Sequence, residues 1–173
     1  MNTIKVEIDT SEYGADDFAN YRIDNYWLDE KLDELYPNKF YGGTIPTLLF
    51  GMEIPEEEKV VKKRILPEID KTVICPILMC PDDLDFSCTL IVAEIQNCGT
   101  TIKWNRIGID KTTESDPENV GSKVKWFQKM DKLEFDKHEY LKMLTDFEKY
   151  YKTDKENWEQ RNTEFQKNLL DKK

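Results

Sequence analysis

The chain has 173 residues, 39% hydrophobic and 35% charged, with a net charge of −10. That length suits one folded core, and eight Phe, eight Tyr and four Trp exclude a disordered polymer. No apolar run approaches the roughly 20 residues of a membrane span, the first residues lack the apolar stretch of a signal peptide, and the acidic excess repels phosphate backbones and anionic lipid, so a cytoplasmic protein with no nucleic-acid and no membrane partner is expected.

In chain order, Met1 to Ile8 alternates like a strand, with Ile4, Val6 and Ile8 on one side. Asp24 is placed to cap a helix running to about Tyr36. Leu28, Leu32 and Leu35 form its inner stripe, and Asp29, Glu30, Asp33 and Glu34 its outer face. Pro37-Asn38 stops that helix. Tyr41 to Pro46 reads as a loop, Thr47 to Phe50 as a short apolar segment, and Glu56 to Glu58 as an exposed acidic knot.

Four runs rich in Val, Ile and Thr then predict strands: Val60 to Leu66, Thr72 to Met79, Thr89 to Gln96 and Thr101 to Ile107. Asn97-Cys98-Gly99 supplies the turn of a hairpin, because Asn and Gly tolerate positive φ. Leu90, Val92, Ile102 and Trp104 are expected to share a face across it. Thr112 to Ser122 is polar and reads as a loop, and Val124, Trp126 and Phe127 begin a further edge strand. Asp136 with Glu139 opens a helix carrying Tyr140, Leu144, Phe147 and Tyr151. A second box, Thr153 with Glu156, opens another carrying Trp158, Phe165 and Leu169. The outline is α+β: a mainly antiparallel sheet of about five to six strands, an N-terminal helix and C-terminal helices. A single domain over 1–151 is followed by a helical extension or tail over 152–173.

Charge is uneven along this outline. Residues 1–58 hold 14 acids and 4 bases, which is the whole of the excess. A one-sided acidic field suits a basic protein partner through steering and complementarity. The candidate partner-binding residues are Asp29, Glu30, Asp33 and Glu34, with Tyr26, Trp27, Tyr36 and Tyr41 as exposed aromatic anchors.

Candidate chemistry concentrates in Cys80 to Cys88, where two thiols and three carboxylates occur in nine residues between two strands. A zinc site needs four ligands, usually from paired short spacings. Cysteines at 75, 80, 88 and 98 contain no C-x-x-C, and the single histidine, His138, sits at a helix start. Cys75 and Cys98 read as small apolar residues, and Asp82 and Asp83 after Pro81 as turn formers. Cys80 or Cys88 with His138 is the one conventional thiol dyad, and His138 reads as an exposed first-turn residue. Gly42-Gly43 is too short to cradle a phosphate. No metal and no cofactor is assigned.

The block Ile77 to Val92, followed by Ile102 to Gly108, resembles a family of small bacterial proteins of unassigned activity. Its pattern is C-P-x-C-G-D-L-G-C-G-A, then a strand, a turn and V-x-W-x-x-F-G. Leu133 to Tyr140 resembles its F-D-x-x-x-Y helix entry, and Tyr41-Gly42-Gly43 through Gly51 its variable G-G segment. Cys80, Asp85, Cys88, Trp104 and Gly108 match. Asp83 stands at the family's second Cys, and Leu84, Ser87 and Thr89 replace its glycines. The resemblance implies a strand-connecting turn and a fold outline, with no mechanism.

Two functions follow as expectations. One is a non-enzymatic protein-binding module, such as an immunity-type protein that neutralises a basic toxin domain through its acidic surface. The other is a metal- or thiol-dependent enzyme centred on Cys80, Asp83, Asp85 and Cys88.

Overall fold

The computed structural model describes residues 1–10 and 17–171. Among these the chain forms nine strands and three α-helices, an α+β fold. Strands β1 (Ile4–Asp9), β2 (Phe18–Ile23) and β3 (Tyr26–Trp27) make a three-stranded antiparallel sheet in chain order. Ile23 pairs with Tyr26, so Asp24 and Asn25 form a two-residue turn, with Asp24 at φ 48. The Asp24 carboxylate accepts from the Thr3 backbone N–H and the Asn2 amide, both at 2.8 Å. Asp24 is therefore a turn residue and not a helix cap. Helix α1 (Leu28–Leu35) starts three residues later than expected, with Trp27 in place of Asp24 at its N-cap, because Tyr26 and Trp27 are taken by strand pairing.

The expected strand Val60 to Leu66 is a helix, α2 (Pro55–Arg64). Proline at its start has the right φ already, and its missing N–H costs nothing there. Glu56 to Glu58 fill the first turn and Lys62 to Arg64 the last, so both ends complement the helix dipole. The supposed acidic knot is the first turn of this helix, and Glu57 is buried within it.

Strands β4 (Ile45–Pro46), β5 (Thr72–Met79), β6 (Leu90–Asn97), β7 (Thr101–Asp110) and β8 (Val124–Trp126) lie in that order in the second sheet. The sixth, β9 (Leu133–Asp136), pairs with the first part of β7, as β8 pairs with its end. Gly99 turns the β6–β7 hairpin at φ 85, and the Cys98 N–H donates to Thr101 O at 2.9 Å. Glu94 then faces Arg106 while Ile95 faces Trp104, leaving Asn105 as an extra residue. The bulge changes which residues of β7 point inward, from Ile102 and Trp104 to Ile107 and Ile109.

Ile102 and Trp104 share their core with Ile91, Ala93 and Ile95. Leu90 and Val92, expected on that face, project to the other side and cluster with Val60, Met79 and Val120. In the larger core Trp104 is fully buried, and its indole N–H donates to the Tyr140 hydroxyl at 3.3 Å. Tyr140 donates onward to Ile65 O at 2.9 Å. Two polar atoms that burial would otherwise penalise are thus paired.

Helix α3 (Lys137–Leu170) is one continuous element of 34 residues. The Asp136 carboxylate caps it, accepting from His138 N–H at 2.8 Å and Glu139 N–H at 3.1 Å. The expected second helix start at Thr153 is absorbed, since no Gly or Pro interrupts the run. Pairs such as Lys142–Asp146 and Glu148–Lys152 support its exposed face. Tyr140, Met143 and Phe147 are buried, and past Tyr151 the helix is exposed. Among the described residues no helix is long and apolar enough to cross a membrane.

Candidate functional site

Leu28 and Leu32 bury the inner stripe of α1. The same 3.6-residue period carries Asp29 and Asp33, with Glu30 and Glu34, around to a cavity of about 350 Å³. Asp9 and Phe18 at the open end of the β1–β2 pair, and Gly42 and Gly43 from the following loop, complete its lining. Five carboxylates therefore meet at one cavity. The four acids of α1 were legible as an outer helical face. Asp9 was missed, because only the β1–β2 register brings it there.

Asp29 is 3% exposed, and it anchors the cavity. Its carboxylate accepts from Gly43 N–H at 2.9 Å and from the Asn20 amide at 3.3 Å. Asn20, itself buried, also donates to Asp9 at 2.9 Å. Burial pushes the Asp29 carboxyl above its ordinary range, although these bonds oppose the shift, and the Asp9 charge adds to it. Asp33 accepts from Tyr41 N–H at 3.2 Å, and Lys31 reaches Glu34 at 2.9 Å. Gly42 passes so close that a Cβ there would stand 3.4 Å from the Asp33 carboxyl carbon.

The aromatic residues expected as exposed anchors pack inward instead. Tyr41 is buried, and its ring lies 5.1 Å from Phe127. Tyr36 lies 4.9 Å from Phe127, and its hydroxyl accepts from Lys129 N–H at 2.7 Å. Trp27 is half-buried with the Arg22 guanidinium 4.8 Å over its ring. Tyr26 is half-buried too, and burial pushes its hydroxyl up to about 12. These rings hold α1 in place, with Glu30 and Glu34 exposed, Asp33 half-buried and Asp29 buried on the cavity side.

The Cys80 to Cys88 connection joins β5 to β6 and is closed by backbone bonds. Cys80 N–H donates to Thr89 O at 3.0 Å, and Leu84 N–H to Cys80 O at 3.2 Å. Leu84 takes φ 53, and its carbonyl accepts from Glu53 N–H at 3.0 Å. The buried Glu57 of α2 accepts from Phe86 N–H at 2.9 Å. Burial raises the Glu57 carboxyl, the Phe86 bond opposes that, and the Asp85 charge adds to it.

This backbone brings Cys80 Sγ, Cys88 Sγ and an Asp83 carboxylate oxygen within 4.8 Å of one another. The Thr89 backbone pulls the exposed Cys88 thiol down, but the neighbouring Cys80, slight desolvation and Asp83 together hold it above the usual range. Asp85 does not join them: one of its oxygens accepts from Ser87 N–H at 2.8 Å and Ser87 Oγ at 2.6 Å. Cys75 is fully buried, and burial raises its thiol. His138 is exposed at the start of α3. Trp104 lies in the core, away from the surface turn. At Gly108 a Cβ would meet Lys125 O at 2.6 Å, so only glycine allows β8 this close.

A second cavity of about 250 Å³ lies between Gly42-Gly43 and the Cys80–Asp82 segment. The two glycines thus border both the carboxylate cavity and the thiol turn. Comparison with protein-family models, with curated proteins and with solved structures gave no match to this chain.

Proposed function

We propose that the protein is a non-enzymatic protein-binding module that receives a cationic side chain of a basic partner in the carboxylate cavity. The sharpest form of this reading is an immunity-type protein that neutralises a basic toxin domain. The observation that carries it is the cavity of about 350 Å³ lined by Asp9, Asp29, Glu30, Asp33 and Glu34. A lysine ammonium or arginine guanidinium fits such a site by charge, and the arginine fork pairs with carboxylates bidentately. The acidic excess of residues 1–58 supports it through long-range steering.

The test is affinity capture with the full chain at low and at high salt, repeated with Asp33→Asn/Glu34→Gln. A stoichiometric basic partner is expected at low salt, with affinity reduced at least about tenfold in the double variant, as loss of close charge pairs implies. Rising salt is expected to weaken capture further, since both charges are partly exposed. Capture unchanged by the double variant, or no partner at low salt, sinks the reading.

A further inference from the structure

We propose that Cys80, Asp83 and Cys88 form a binding site for a zinc-class divalent metal at the β5–β6 connection. Zinc binds both thiolate sulfur and carboxylate oxygen, and paired thiolates favour it over magnesium or calcium. Their three ligand atoms already lie within 4.8 Å of one another. Two thiolates on one tetrahedral zinc stand about 3.8 Å apart, from Zn–S bonds of about 2.3 Å. Small side-chain rotations therefore complete the site without moving the backbone.

The turn is built to hold these groups. Cys80 is fixed at the end of β5 by its bond to Thr89, and Asp83 precedes the left-handed Leu84, which bonds back to Cys80. Glu57 pins Phe86 from outside the turn. The neighbouring Asp85 turns one oxygen to Ser87 and lies outside the cluster, which leaves Asp83 as the carboxylate of the set. An Asp83 carboxylate oxygen stands within 4.8 Å of both sulfurs, with Cys88 and Asp83 exposed and Cys80 half-buried, so a metal ion can reach all three.

Binding converts two thiols to thiolates and releases their two protons to solvent. With ionised Asp83 the three ligands and Zn²⁺ carry a net charge of −1, and water fills the fourth position. Uptake therefore strengthens as pH rises. The site stands independently of the carboxylate cavity, so either can fail without the other.

The test uses the full chain under reducing conditions, titrated with Co²⁺ and then with Zn²⁺. One equivalent of Co²⁺ is expected to give thiolate-to-metal charge-transfer absorption with tetrahedral d–d bands, and Zn²⁺ to abolish both. Cys88→Ser is expected to remove the charge-transfer band, and Asp83→Asn to weaken binding at least about tenfold. Cys98→Ser, which alters a thiol outside the cluster, is expected to bind as the unaltered chain does. Circular dichroism confirms that each variant is folded before titration. An octahedral spectrum without charge transfer overturns the site, as does equal uptake by Cys88→Ser and the unaltered chain. A reduced chain that takes up no metal but closes a Cys80–Cys88 disulfide in air overturns it too.

Discussion

The two faces of the β5–β7 sheet do different work. One carries the large core of Trp104, Phe135, Tyr140, Phe147, Leu28 and Leu32, and on it stands the carboxylate cavity. The other carries a small cluster of Val60, Met79, Leu90, Val92 and Val120, and against it leans the thiol turn through Leu84, while Phe86 touches both clusters. Helix α2 straddles the two, with Val60 in the small cluster and Val61 in the large one. The cavity draws residues from β1, β2, α1 and a loop, so its geometry depends on long-range packing. The turn holds its three candidate ligands within nine residues, so its geometry is mostly local.

The largest effect is expected from Trp104→Ala, about 3–5 kcal/mol of stability by urea unfolding. Trp104 packs against Tyr21 at 5.8 Å, and Tyr21 adjoins the Asn20 that holds Asp29 and Asp9. Amide exchange at Gly43, whose N–H bonds to Asp29, should accelerate more than at Phe86. Leu90→Ala removes a side chain of the small cluster and is expected to cost nearer 2 kcal/mol. It should show the reverse pattern, with the Phe86 amide loosened and Gly43 little changed. Equal acceleration at both amides in both variants would merge the two regions into one cooperative unit.

The same contrast separates what the sequence made legible from what it did not. Strands β5, β6 and β7 were readable because β-branched runs flank an Asn-Cys-Gly turn. Helix α2 was not, since Val60, Val61, Ile65 and Leu66 look like a strand when read alone. The three charges Lys62 to Arg64 between them, and Pro55 with three glutamates ahead, were the stronger signal. Strand β2 was hidden because Ala19, Asn20 and Tyr21 are all buried, which removes the alternation a strand needs to be seen. The acidic face of α1 was readable as helical spacing, but Asp9 and Asn20 reach it only through strand register. In the thiol turn both cysteines were visible at once. Which aspartate joins them depends on the left-handed Leu84 and on the Ser87 contact of Asp85, neither of which spacing reveals.

The smallest expected effect bears on the cavity's electrostatics. Burial raises the Asp29 carboxyl above its ordinary value, so folding disfavours its charged form. Its contribution to stability is then fully present below the ordinary carboxylate pKa and is lost as pH rises through the raised folded value. Asp29→Asn keeps an acceptor for Gly43 N–H but cannot titrate. At neutral pH the variant should melt at or slightly above the unaltered chain. On acidification toward about pH 4 the unaltered chain should gain on the variant, because protonation relieves the buried charge. A relative loss on acidification would mean that the cavity already favours the carboxylate, and the burial argument would fail. A bound lysine or arginine side chain acts in the opposite direction, drawing the Asp29 carboxyl down. The same pair of melting curves with a basic partner present should therefore reverse sign, and that reversal would report a cation seated beside Asp29.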